Sequence, residues 1–297
     1  MRKNMTCSII IVALTASTLS LGENGRKENG KWTEWNENGN KMNEGTYKKE
    51  ELIDQKIEEE WLEKAKKHYF DMEYEKAINY ATEAIDIDST LSPAYFIRGD
   101  SYGLIGDFNK ALLDYNRAIN FYPDYELALY QRAMTQFQLG LSTSDACNDL
   151  GKVKELISTN NNFQFLIDQS PDTFVMCELI KNTEDIDELL NIGGLFATGG
   201  KYLEAMAVFN EVTIRDPSRD KAYYNLSLIY NHLGNKEKEL KLLLKTIKVN
   251  PYNDGAYQNL GQYYYELDNL DLSIKYTKKA AQLGNEDCQN WLKVNGY

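Results

Sequence analysis

Apolar residues along this chain fall mostly at helical intervals. In the stretch GDFNKALLDYNRAINFYP, Ala111, Leu112, Tyr115, Ala118 and Ile119 recur at i, i+1, i+4, i+7 and i+8, sharing one face of a helix. Gly106-Asp107 supplies the turn and the N-cap, and Pro123 blocks continuation. Just upstream, Ser92-Pro93 reads as a cap followed by proline at the first helical position, which predicts another helix through about Ile105. The predicted unit is a helical hairpin.

The hairpin repeats. Trp61, Tyr95 and Leu129 are 34 residues apart, as are Ala65, Gly99 and Ala133. Ala77 and Ala111 keep that interval, and Ala146 follows one residue late. Further on, Leu189, Tyr223 and Tyr257 share the spacing, with Gly193, Ser227 and Gly261, then Phe196, Tyr230 and Tyr264, and Pro217 and Pro251. With its small and aromatic positions in step, the chain resembles the tetratricopeptide repeat family over residues 58–284. The resemblance implies an all-α helical-hairpin solenoid. Small residues there let the two helices of a hairpin approach closely, and the aromatics three positions later fill the layer between neighbours. His68 and Gln136 replace that aromatic, and Glu239 stands where Ala77, Ala111 and Ala205 stand elsewhere, departures that touch single units.

The two sets of three are out of phase, which gives six units in two blocks. Block one is expected over residues 50–157 and block two over 186–284, separated by an irregular helical spacer at 158–185. In the spacer, Asn160–Asn162 and Ser170-Pro171 punctuate two short apolar pieces. Residues 285–297 are expected to form a capping helix, with Asn285 as its N-cap and Cys288, Trp291 and Leu292 on one face.

The front end is different. Arg2 and Lys3, the apolar run CSIIIVALTA and then STLS have the layout of a signal peptide over residues 1–20. The expectation is an exported protein, periplasmic or secreted, with no transmembrane segment once the leader is removed. Within an expected hairpin and linker at 21–49, residues 31–47 alternate around Asn38-Gly39, a short hairpin signal. With Trp35, Glu44-Gly45 and Tyr47, this stretch resembles a single MORN-type β-hairpin of the YwqK antitoxin-like kind, packed on or tethered to the first helix.

Charge narrows the function. Forty-five acidic residues against 33 basic ones give a formal charge of −12, a poor match for nucleic acid, which needs a basic stripe. Removal of Arg2 and Lys3 with the leader makes the chain more acidic still. Neither His68 nor His232 has a partner at metal-ligand spacing, no nucleophile arrangement is visible, and no glycine-rich phosphate loop follows a strand. Cys147, Cys177 and Cys288 lie in apolar helical contexts; one disulfide is compatible with export, and the sequence does not choose the pair. No catalytic residue, metal site or cofactor is therefore assigned.

The resemblance implies instead a concave groove lined by first helices. Matching positions are Tyr69, Phe96, Tyr130, Met134 and Phe137 in block one, and Tyr224, Asn231, His232, Gln262 and Tyr265 in block two. Aromatics and amides of this kind suit a peptide or a partner helix. The carboxylate-clamp positions of chaperone-binding relatives hold Leu62, Lys66, Ile97, Leu127 and Gln131 in block one, and Leu190, Gly194, Asn225, Gly255 and Asn259 in block two, so that clamp is absent. The expected function is a non-enzymatic protein-interaction scaffold whose partner is neutral or basic. The rival readings are an accessory or catalytic component of an envelope enzyme, and a structural envelope protein acting through the hairpin.

Overall fold

The computed structural model describes residues 31–35, 41–46, 49–159 and 163–297, with side chains from residue 57 onward. The expected leader at 1–20 and the Asn38-Gly39 turn lie outside the described residues. Strands β1 (Lys31–Trp35) and β2 (Lys41–Thr46) pair antiparallel, Lys31 opposite Thr46 and Trp35 opposite Lys41. Everything after them is helical.

The chain divides into two compact units, residues 1–132 and 133–297. In the first unit, α1 (Lys49–Phe70) packs on α2 (Tyr74–Ile87), and α3 (Ser92–Leu104) on α4 (Phe108–Phe121). The division falls inside α5 (Glu126–Leu139). In the second unit, α9 (Ile186–Thr198) pairs with α10 (Tyr202–Arg215), α11 (Asp220–His232) with α12 (Lys236–Val249), and α13 (Asp254–Glu266) with α14 (Leu270–Gln282). Helix α15 (Glu286–Asn295) covers α14. Each unit is thus built from helical hairpins, the all-α repeat architecture that the 34-residue beat implies.

Residues 158–185 hold the end of α6 (Thr143–Thr159), the six-residue α7 (Gln164–Gln169) and α8 (Pro171–Asn182). α8 packs on both α6 and α10. A disulfide joins Cys147 of α6 to Cys177 of α8, with Cα atoms 5.3 Å apart, and Cys288 remains a buried free thiol.

Turn chemistry explains the hairpins. Side chains of Asp107, Asn235, Asn253, Asn269 and Asn285 each accept a hydrogen bond from a backbone N–H in the first helical turn that follows. The connection between paired helices needs a left-handed residue, and Gly106, Gly140, Gly200 and Gly234 supply it with φ of +89°, +71°, +75° and +74°. The same position falls to Met72 and Asp268, at φ +60° and +54°, so the backbone keeps the 34-residue register where glycine is missing.

Small residues set the helix crossings. Ala65, Ala133 and Ser227 are buried, and a Cβ on Gly193 would lie 2.6 Å from Cε1 of Phe209, itself 1% exposed. At the one irregular small position, Glu239 is buried with a hydrogen-bond partner on one carboxylate oxygen and an ion-pair contact at the other. Its Oε1 accepts from Asn231 Nδ2 at 2.5 Å, and its Oε2 lies 3.1 Å from Lys236 Nζ.

Two outcomes follow in chemical denaturation. Gly193→Ala should lower stability by about 1–2 kcal/mol despite alanine's helix propensity, whereas Gly194→Ala, whose Cβ meets nothing within 4 Å, should raise it by about 0.5–1 kcal/mol. Equal effects of the two would refute the assigned crossing. Met72→Gly should raise stability by about 0.5–1 kcal/mol, and Asp268→Gly by less, because aspartate tolerates the left-handed region better.

Candidate functional site

The first-helix face of the first unit is filled by its own side chains. Tyr69 of α1 donates to Asp100 Oδ2 on α3, and Tyr115 of α4 donates to Oδ1 at 2.9 Å. Burial raises the Asp100 carboxyl above the usual range against the opposing pull of these two bonds, and burial likewise raises the Tyr69 and Tyr125 hydroxyls. Phe96 lies between Tyr115 and Tyr125, with ring centroids 6.2 and 5.1 Å away. Beside this cluster, Arg98 makes a two-pronged contact to Asp114, both bonds 2.8 Å.

This placement changes the reading of several expected groove residues. Phe96, Tyr130 and Phe137 are 5%, 3% and 2% exposed, so they are packing residues and offer a partner almost no surface. Tyr69 is half-buried and committed to Asp100. Met134 is half-buried. The sequence reading overlooked Asp100; a carboxylate next to Gly99, in the middle of an otherwise apolar helix face, was the available signal.

The second unit differs. Between α9 and α11 lies an open cleft of about 770 Å³, lined by Asp187, Leu190, Asn191, Gly194, Leu195, Thr198, Lys221 and Asn225. Its openness has a simple cause. Gly194 projects no side chain into it, and Leu190 is shorter than the aromatics at the matching positions, Phe96 and Tyr224. Leu195 stands 72% exposed on its wall. The mouth is polar: Asp187 pairs with Arg219 at 3.0 Å, and Arg219 also holds Asp216 at 2.8 Å. Thr198 turns its hydroxyl back to the Gly194 and Leu195 carbonyls, while the amides of Asn191 and Asn225 and the ammonium of Lys221 are further polar groups of the lining.

Beyond α11 the valley is closed. Tyr224 lies over Gly255 of α13, where a Cβ would come within 2.8 Å of the tyrosine oxygen, and Asn259 Nδ2 donates to that oxygen at 3.4 Å. Of the remaining expected residues, Asn231 is bonded to Glu239, His232 lies tilted against Tyr202 with centroids 4.6 Å apart, and Gln262 donates to Glu266. Tyr265, 50% exposed, meets Trp291 edge-on. None of the ten expected residues lines the α9–α11 cleft. Three residues placed there by the absent-clamp comparison do: Leu190, Gly194 and Asn225. Among the described residues, no group of three or more His, Cys, Asp or Glu is arranged to hold a metal ion, and no helix is long and apolar enough to cross a membrane.

Comparison with known proteins agrees with this architecture. Residues 92–125, 220–253 and 254–285 match the tetratricopeptide repeat family model, and they coincide with α3–α4, α11–α12 and α13–α14. Tetratricopeptide repeat protein 6 of Homo sapiens is 25% identical over 204 residues, 63% of this chain and 38% of its own length, so the match spans well under half of that relative. Among solved structures, MamA is 22% identical, covering 64% of this chain and 96% of its own, with a TM-score of 0.34. YrrB is 22% identical over 70% of this chain and 94% of its own, at 0.37, and the Arabidopsis OM64 TPR domain is 20% identical over 40% and 98%, at 0.36. The three matched segments are each a complete helical hairpin in the 34-residue register, so the tetratricopeptide repeat likeness rests on α3–α4, α11–α12 and α13–α14.

Proposed function

We propose that the protein is a non-enzymatic interaction scaffold that takes a peptide segment of a partner into the α9–α11 cleft. The observation that carries this is the contrast between the units. The corresponding face is packed shut around Asp100 in the first, whereas Gly194 leaves it open in the second. Leucines on the cleft walls supply apolar contact, and Asn191 and Asn225 supply amides for a polar backbone. The chain's charge of −12 favours a neutral or basic partner, chiefly through encounter rate, so added salt weakens binding only modestly.

Export through residues 1–20 is part of the same proposal. The Cys147–Cys177 disulfide supports it, since such bonds persist in oxidising compartments. The MORN-type reading of residues 21–49 is kept as a tethered accessory to α1, supported by the pairing of β1 with β2.

The test is a displayed random peptide library panned against the full chain, with affinities of the selected peptides measured by calorimetry. Gly194→Trp fills the cleft from a position with free space around its Cβ, so the fold is retained and affinity should drop at least about tenfold. Peptides that bind wild type and Gly194→Trp equally would overturn the assignment of the cleft.

A further inference from the structure

We propose that the Cys147–Cys177 disulfide is a reversible redox lock on α8. The reason lies in a missing partner. The second helices α2, α4, α10, α12 and α14 each run antiparallel to a first helix of 13 residues or more, whereas α8 follows the six-residue α7. α8 therefore lacks most of the hairpin packing that fixes the others. It buries Phe174, Met176 and Ile180, yet leaves Val175 53% and Leu179 37% exposed.

Other contacts compensate at its two ends. Near the start, Asp172 pairs with Lys201 and Thr173 Oγ1 donates to Glu204 at 2.7 Å. Near the finish, Arg215 of α10 donates to the Thr183 and Ile180 carbonyls at 2.7 and 3.0 Å, while its Nε donates to Glu211. The middle of α8 is held to α6 by the disulfide and, at the rim, by Lys154–Glu178, 3.0 Å apart and more than half exposed on both sides. An exposed pair of that kind contributes little. The covalent bond is thus what replaces the missing helix, closing a loop of 30 residues.

The bond is also reachable. Cys147 is half-buried, whereas Cys177 is 8% exposed, so Cys147 is the more accessible half of the bond to an external thiolate. Attack there forms a mixed disulfide on Cys147 and breaks the Cys147–Cys177 bond. The electron pair leaves on the Cys177 sulfur, which takes a proton. A second thiolate of the reductant then releases Cys147, and the reductant ends as its own disulfide. Two electrons and two protons have moved, and α8 keeps its end contacts and the packing of Phe174, Met176 and Ile180 but loses its covalent tie to α6.

The experiment is hydrogen exchange on the full chain, compared in oxidised and reduced glutathione or dithiothreitol, with Cys147→Ser/Cys177→Ser as the covalent control and Cys288→Ser to remove the spare thiol. Exchange across residues 171–182 should accelerate on the order of a hundredfold on reduction and in the double variant. It should return on reoxidation, while α11–α14 stay protected. Unchanged protection of 171–182 would overturn the lock, and so would simultaneous loss across α9–α14, which would make the bond a global staple.

Discussion

The close crossing of the two helices in each hairpin is the constraint on which the rest of the structure depends. At Gly193 there is no room even for a methyl group beside Phe209, and at Gly99 a Cβ would reach 3.0 Å from Cβ of Asp114. Such a crossing buries one side of the first helix against the second. The opposite side is left to whatever the neighbouring first helices place there. The same small position therefore fixes the fold and decides which surface remains available.

The two units then use that surface differently. In the first, Tyr69, Phe96, Asp100, Tyr115 and Tyr125 fill it, with the carboxylate satisfied by two phenols. A buried carboxylate satisfied in this way favours a single, well-ordered packing of the face. In the second, a glycine and a leucine stand where bulk stands elsewhere, and the result is a cleft closed at one side by Tyr224 over Gly255. Neighbouring glycines in α9 thus serve opposite ends: Gly193 has no space around it, and Gly194 has nothing else.

Much of the architecture was legible because the turn and the crossing impose residue types directly. Glycine at a left-handed turn, asparagine at an N-cap and a small residue at a crossing all follow from backbone geometry. The register was harder to see at Met72 and Asp268, which adopt the turn without glycine. The site was far less legible. An aromatic on a first helix reads the same whether it meets solvent or a neighbour, and Phe96, Tyr130 and Phe137 proved to be buried. The opening at Gly194 is defined by an absent side chain, which periodicity does not record. Nor could spacing choose the disulfide pair, because α7 and α8 break the 34-residue beat that orders everything around them.

The most direct measurement of the central claim is a hydrogen-exchange footprint of the full chain with and without a selected peptide. If the open first-helix face of the second unit is the binding surface, slowed exchange concentrates in residues 187–198 of α9 and 221–225 of α11. Slowed exchange on α10 and α12, on α1 and α3 of the first unit, or on the paired strands at 31–46 would contradict it.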